Sequence, residues 1–193
     1  MIASCSDDKP QLNPLSQTSI ILAFGDSLTF GTGTSKDKSY PSILNNLTGI
    51  NVINEGIPGE VSAKGEARLD RLLDKHKPDL VILCHGGNDL LQKINTQLTI
   101  NNLKAMITTI RENRSDVVLL SVPKPGILLK PAPFYAEIAE EMGVPIGTGI
   151  LSKILSSSDL KSDTAHPNEK GYRQMAEDIA ELLLDRKAIN QLN

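Results

Sequence analysis

The stretch Ile20-Ile21-Leu22-Ala23-Phe24-Gly25-Asp26-Ser27-Leu28-Thr29-Phe30-Gly31-Thr32-Gly33 runs an apolar segment straight into a turn of glycines and hydroxyls. A short apolar run closed by glycine reads as a buried strand. Two chemistries fit such a strand end. Backbone N–H groups of the turn can cradle a phosphate, or the turn can present Ser27 as a nucleophile. A Walker loop would need Gly-x-x-x-x-Gly-Lys-Ser/Thr, but Gly25 and Gly31 are six apart and Thr32 follows Gly31. The dinucleotide pattern Gly-x-Gly-x-x-Gly fails as well, because Gly31 and Gly33 lead to Lys36.

Outward from this stretch, strand-like runs alternate with helical ones. Strands are expected at residues 20–24, 51–54, 80–84, 117–122 and, less clearly, 144–146. Helices are expected at 40–47, 61–76, 98–113, 134–142 and 169–187. Pro41 suits a first helical turn, and Pro78 stops the helix before it. Repeated strand–helix units predict an α/β protein whose parallel sheet is covered on both faces. Ligands then bind beyond the carboxyl ends of the strands. The chemically rich segments 25–33, 55–60, 85–89 and 123–133 all fall there.

With 193 residues the chain suits one domain, expected over 19–193, after a disordered polar tail over 1–18. Twenty basic and twenty-three acidic side chains give a net charge of -3 without any like-charge block, which argues against nucleic acid as a partner. Aromatics make up 3% with no Trp, too few for base-stacking platforms or lids over flavins and sugars. No apolar run approaches the roughly 18 residues of a membrane helix. Of the two cysteines, Cys84 reads as a small buried residue. Cys5 follows Ile2-Ala3-Ser4, the pattern of a bacterial lipobox. On that reading Cys5 is lipidated and the protein is a periplasmic or membrane-anchored lipoprotein, although the basic and apolar regions of a signal peptide do not stand before it in this sequence. On the other, the match is chance in a polar terminus and the protein is cytoplasmic.

A serine hydroxyl needs a base and oxyanion donors to act as a nucleophile. The sequence offers both. His166, in Asp163-Thr164-Ala165-His166-Pro167-Asn168, can serve as general base, and Asp163 three residues earlier can fix its tautomer. Equally, that segment can be a turn opening the last helix, with His166 on the surface. In His85-Gly86-Gly87-Asn88-Asp89 the Asn88 amide can donate to an oxyanion, although Asn/Gly turns are also common after strands. A backbone N–H within Asn54-Glu55-Gly56-Ile57-Pro58-Gly59 would add a donor.

These four segments, in this order, resemble the SGNH (GDSL) hydrolase superfamily, and within it the compact bacterial thioesterase/arylesterase/lysophospholipase type. Tyr40-Pro41-Ser42-Ile43-Leu44, Ala67-Arg68-Leu69 and His76-Lys77-Pro78 extend the likeness. The resemblance implies a flavodoxin-like three-layer α/β/α fold with a five-stranded parallel sheet and a shallow site. It implies Ser27 as nucleophile, His166 as base and Asp163 as its orienting acid. Oxyanion donors would be the Ser27 N–H, the Gly59 N–H (rather than Gly56) and the Asn88 amide, with no cofactor and no metal. His85 stands where relatives carry an apolar residue, so it competes as a base or supports the site by hydrogen bonding; the acid at family spacing favours His166. His76 is expected as a solvated helix cap. Leu90-Leu91 replace a glycine of close relatives, and the 123–133 loop is shorter than theirs.

The expected function is a serine esterase acting on a small-molecule ester of short to medium acyl chain through an acyl-enzyme. Ile127, Leu128 and Leu129 are the candidate apolar wall. The alternatives are a carbohydrate O-acetyl esterase, a non-catalytic lipoprotein module, or a phosphate or FMN binder built on the flavodoxin-like loop at 29–35. Gly25 is expected to ease the turn, and Phe30-Gly31-Thr32-Gly33 to form a flexible rim.

Overall fold

The computed structural model describes residues 9–126 and 129–193. Its elements run β1 (Ile20–Gly25), α1 (Ser27–Phe30), α2 (Tyr40–Thr48), β2 (Asn51–Gly56), α3 (Ser62–His76) and β3 (Leu80–Cys84). There follow α4 (Gly87–Leu91), α5 (Thr96–Glu112), β4 (Asp116–Leu120), α6 (Phe134–Met142), β5 (Ile146–Gly147), α7 (Ile150–Ser156) and α8 (Glu169–Asp185). All strand pairs are parallel, in the order β2-β1-β3-β4-β5. The chain therefore steps one way from β1 to β2 and the other way from β3 onward. Right-handed crossovers put α2 on one face and α3 and α5 on the other. Helix α8 returns to pack on α2, and α3 packs on α5, completing three layers.

The direction reverses between β1 and β3, the position where open sheets of this kind leave a crevice. Register sharpens the point, because Gly25 lies opposite both Gly56 of β2 and Cys84 of β3. Three strands thus end on one rung. The central strands are apolar throughout: Ile21, Leu22, Ala23 and Phe24 of β1 and all of β3 are fully buried. Each large aliphatic side chain so buried contributes roughly 1.5–3 kcal/mol. The edge strand β2 is half-exposed and mixes Asn51, Asn54 and Glu55 with Val52 and Ile53. None of the described helices is long and apolar enough to cross a membrane.

Long elements fall where periodicity places them, with differences at their ends. Strand β4 stops at Leu120 rather than residue 122, because the Ser121 hydroxyl turns to Gly147 O and accepts from Gly149 N. Strand β5 is only two residues long. Helix α7 was not expected. It has two turns, with Ile150, Leu151, Ile154 and Leu155 buried, and the serines after Leu155 make the segment read as loop.

The tail expected to be disordered over 1–18 is otherwise in its described part. Leu12 is buried, Leu12 N donates to Arg186 O (3.1 Å), and Leu15 N donates to Ala188 O (2.7 Å). Asn13 N donates to Asp116 Oδ2 (2.6 Å). Residues 12–15 are strapped across the end of α8 by leucine burial and backbone pairing, which a polar, non-periodic sequence conceals. Cys5 lies outside the described residues.

Candidate active site

The turn after β1 is fixed by contacts on both sides. A Cβ on Gly25 would collide with the Cys84 carbonyl and the Thr29 hydroxyl, so glycine is needed there for close approach and not for an unusual φ. Asp26 caps α1, its Oδ1 accepting from Leu28 N (3.0 Å). Ser27 opens that one-turn helix, which Gly31 closes at φ 95°. The following segment is not the flexible rim expected of it. Tyr172 of α8 donates to Thr32 O (2.8 Å), and Gly33, at φ +98°, packs directly on Ser162 and Pro167.

Those contacts set the turn of α1 against the loop before α8. Within that loop Asp163 Oδ1 accepts from Ala165 N (2.7 Å) and His166 N (2.8 Å), which closes a tight turn. Asp163 Oδ2 accepts from His166 Nδ1 at 2.8 Å. With Nδ1–H committed to the carboxylate, Nε2 offers its lone pair to the Ser27 hydroxyl, 2.9 Å away. Burial would push the Asp163 carboxyl up, but the Ala165 N–H, the His166 ring and the His166 N–H outweigh it and hold it below the usual range. The alternative of a surface His166 in a bare turn is set aside by this geometry.

Near Ser27, the N–H groups of Ser27 and Gly59 have no hydrogen-bond partner among the described residues. Gly56 N, by contrast, donates to Asn54 Oδ1 (3.0 Å), and a Cβ on Gly56 would strike the Phe30 backbone. The Gly59 N–H is therefore the available one, at φ +78° and with open space around its α-carbon. Asn88 lines the same cleft, and its amide donates to Asp26 Oδ2 (3.1 Å) and to Glu60 O (3.0 Å). Burial pushes the Asp26 carboxyl up from the usual carboxylate range, against the opposing pull of His85 and the Leu28 N–H.

The cleft has a volume of about 600 Å³. Ser27, Gly59, Asn88 and His166 lie in its wall, with Pro58, Leu91, Val122, Pro123, Leu129 and Leu155 supplying apolar surface. Of the three residues expected as an apolar wall, Leu129 is there, and Ile127 and Leu128 lie outside the described residues. Among the described residues no group of His, Cys, Asp and Glu is arranged to hold a metal ion.

His85 does not reach the cleft. It is fully buried, with Nε2 3.1 Å from Glu60 Oε2, which leaves His166 as the histidine at Ser27 and gives His85 a supporting place. His76 departs from its expected role as a solvated cap, since its ring is mostly covered and Nε2 lies 3.0 Å from Glu55 Oε1. Several supporting residues escaped sequence reasoning. Asp89 accepts from Ser62 N (2.8 Å), the Ser62 hydroxyl and the Thr99 hydroxyl (3.2 Å), docking α4 onto α3 and α5. Glu60 and Arg68 form a buried pair beneath the Gly59 loop. Asp26 could have been singled out, because it stands inside the motif; Glu60 and Arg68 lie in segments the sequence marks, but nothing local pairs them.

A parallel α/β sheet with a serine at its switch point, backed by histidine and aspartate, defines the serine hydrolases of flavodoxin-like architecture. The chain belongs to the GDSL-like lipase/acylhydrolase family, whose profile matches residues 23–174. It is 31% identical over 175 residues to an arylesterase of Vibrio mimicus, covering 85% of this chain and 88% of that protein. It is 28% identical over 171 residues to the thioesterase 1/protease 1/lysophospholipase L1 of Escherichia coli, covering 84% and 82%. In three dimensions it superposes on the psychrotrophic esterase EstA of Pseudoalteromonas sp. with a TM-score of 0.78 at 23% identity, covering 86% of this chain and 97% of that one. The SGNH-hydrolase family esterase AlinE4 gives 0.69 at 26%, covering 89% and 97%. The protein is an SGNH serine esterase, a carboxylic ester hydrolase.

Proposed function

We propose that Ser27 is the nucleophile, His166 the general base and Asp163 the residue that orients it. The Ser27 and Gly59 N–H groups and the Asn88 amide are the oxyanion donors. One observation carries this reading: the unbroken chain from Asp163 through His166 to Ser27, at 2.8 and 2.9 Å, opening on a cleft. His166 Nε2 takes the Ser27 proton as Oγ attacks the ester carbonyl. The tetrahedral oxyanion draws on the two free N–H groups, and Asn88 shares a hydrogen now held by Asp26 or Glu60. The imidazolium protonates the departing alkoxide, and water repeats the cycle on the acyl-enzyme.

The substrates proposed are esters of short to medium acyl chain. The apolar wall of a 600 Å³ cleft supports this, as does the likeness to proteins named arylesterase and thioesterase/lysophospholipase. Hydrolysis of p-nitrophenyl acetate by wild type and by Ser27→Ala tests the reading, and an acetate-to-palmitate series sets the chain length. Absence of activity in wild type, or its survival in Ser27→Ala, overturns the reading. The Ile2-Ala3-Ser4-Cys5 pattern supports a lipidated, membrane-attached form in the periplasm. Radiolabelled palmitate incorporated by wild type but not by Cys5→Ala in a bacterial host is the expected result; equal labelling refutes it.

A further inference from the structure

A buried ionic cluster lies behind the catalytic wall. Glu60 Oε1 accepts from Arg68 Nε (2.8 Å), and Oε2 accepts from Arg68 Nη2 (2.7 Å) and lies 3.1 Å from His85 Nε2. The Glu60 and His85 side chains are 6% and 0% exposed. Burial would raise the Glu60 carboxyl, but the bonds from His85 and Arg68 outweigh it and keep it ionised. Buried ion pairs are poor sources of net stability, since desolvation offsets their attraction. Their value lies in fixing geometry, and this cluster touches every segment that carries an oxyanion donor.

Three strand ends supply those donors: Ser27 after β1, Gly59 after β2 and Asn88 after β3. Arg68 Nη2 donates to Gly25 O (3.3 Å), two residues before Ser27, and to Glu55 O (2.9 Å), near the end of β2. Its guanidinium also lies 4.3 Å over the Phe24 ring of β1. Glu60 directly follows Gly59, and its carbonyl receives the Asn88 amide. His85 follows β3, three residues before Asn88, and Tyr135 of α6 donates to its carbonyl (2.6 Å). Gly65 of α3 has no room for a Cβ because the His85 ring fills that space. Asp26 also lies within electrostatic reach of His85.

We infer that Glu60, Arg68 and His85 act together as positioning residues that hold the three oxyanion donors in register. This rests on the donor assignment proposed above. None of the three side chains lines the cleft, so their effect reaches the reaction through the backbone. Their removal weakens transition-state binding and leaves ground-state binding nearly intact. A donor misplaced by 1 Å costs on the order of 100-fold in rate.

The test compares wild type with the charge-free variant Glu60→Met/Arg68→Met/His85→Leu, which leaves no unpaired buried charge. For p-nitrophenyl butyrate, kcat is expected to fall by about 30- to 100-fold with KM within about 3-fold. Affinity for a boronic acid, which mimics the tetrahedral intermediate, should fall by the same factor as kcat, while affinity for butyrate is unchanged. Wild-type kcat in the folded variant overturns the inference, and so does a parallel loss of boronate and butyrate binding. If the triple variant does not fold, Arg68→Lys decides. It keeps the charge but replaces a fork with a single point, removing the Arg68 donor from the carbonyls of Gly25 and Glu55. A drop in kcat of at least about 10-fold is expected, and an unchanged kcat overturns the inference. Labelling by a fluorophosphonate separates this from the underlying reading. Loss of label in Ser27→Ala with wild-type kcat in the triple variant defeats the positioning role alone, whereas label retained in Ser27→Ala defeats the nucleophile assignment first.

Discussion

Replacing Gly33 by alanine tests whether His166 is held in place by the chain around Ser27. Gly33 sits at φ +98°, and a Cβ there would lie 2.7 Å from Pro167 O and still closer to the Ser162 hydroxyl. Two costs follow. An L-residue in left-handed backbone costs about 1–2 kcal/mol. The clash adds to the strain, because Pro167 O is backbone and must retreat by roughly 0.7 Å to reach ordinary contact. Ser162 N donates to His166 O (2.9 Å), and the Ser162 hydroxyl lies 3.2 Å from both His166 O and Pro167 O, so the loop moves as a unit. His166 Nε2 is 2.9 Å from Ser27 Oγ, and a shift of that size carries the pair beyond the roughly 3.2 Å limit of a good hydrogen bond. The expected loss in kcat is about 10-fold, with a melting temperature lower by about 3–8 °C. Gly143→Ala is the control, since Gly143 caps α6 at φ +58° with nothing within 4 Å of its Cβ position. It should show the stability loss of the backbone strain alone, smaller than that of Gly33→Ala, and no loss of activity. If Gly33→Ala melts lower yet turns over p-nitrophenyl acetate at the wild-type rate, the claim that Gly33 sets the His166 position is refuted.

Asp26→Asn keeps an acceptor for Leu28 N but turns a second amide toward Asn88, so kcat should fall by about 10²–10³ with little change in KM. Because the folded-state pKa of Asp26 is raised by burial, wild type loses stability as pH climbs from the unfolded value through the folded one. The melting temperature of Asp26→Asn relative to wild type should therefore rise over that interval and then level; a constant difference contradicts the assignment. Asp163→Asn preserves the turn through Oδ1 but presents an N–H to His166 Nδ1, favouring the wrong tautomer, and should lower kcat by about 10⁴. Since the Asp163 carboxyl is held below the usual range, its share of stability is full above the unfolded value near 3.9 and lost as pH falls through the folded one. Acid titrations of wild type and Asp163→Asn should converge there. Leu91→Asp, at an exposed position on the cleft wall, should reduce kcat/KM for octanoate by about 5-fold and leave acetate unchanged; equal effects on both would exclude Leu91 from the acyl path.

How much of this was legible follows physical range. The run from Ile20 to Ser27 declares a buried strand and its turn because apolar continuity and glycine are local signals. Asp163 and His166 could be paired because three residues separate them. His85 was visible as an oddity, and its place beside Glu60 was not. Arg68 lies on an amphipathic helix where arginine ordinarily faces water, and only the sheet brings it over Phe24 and between two strand ends. The same blindness applies to Leu12 and to Gly33, whose neighbours stand more than a hundred residues away in sequence. The expectation that His76 is solvated failed because Glu55 belongs to another element.

The hydrogen bond between His166 and Ser27 spans 139 residues, and the loop bearing the histidine is anchored by a helix that packs on α2. A chain still leaving the ribosome therefore holds a formed strand and its serine long before it holds a base. Esterase activity then waits for the segment from Asp163 through α8 to leave the ribosome and fold back. The order of synthesis thus keeps the Ser27 hydroxyl without its histidine partner until that segment has docked.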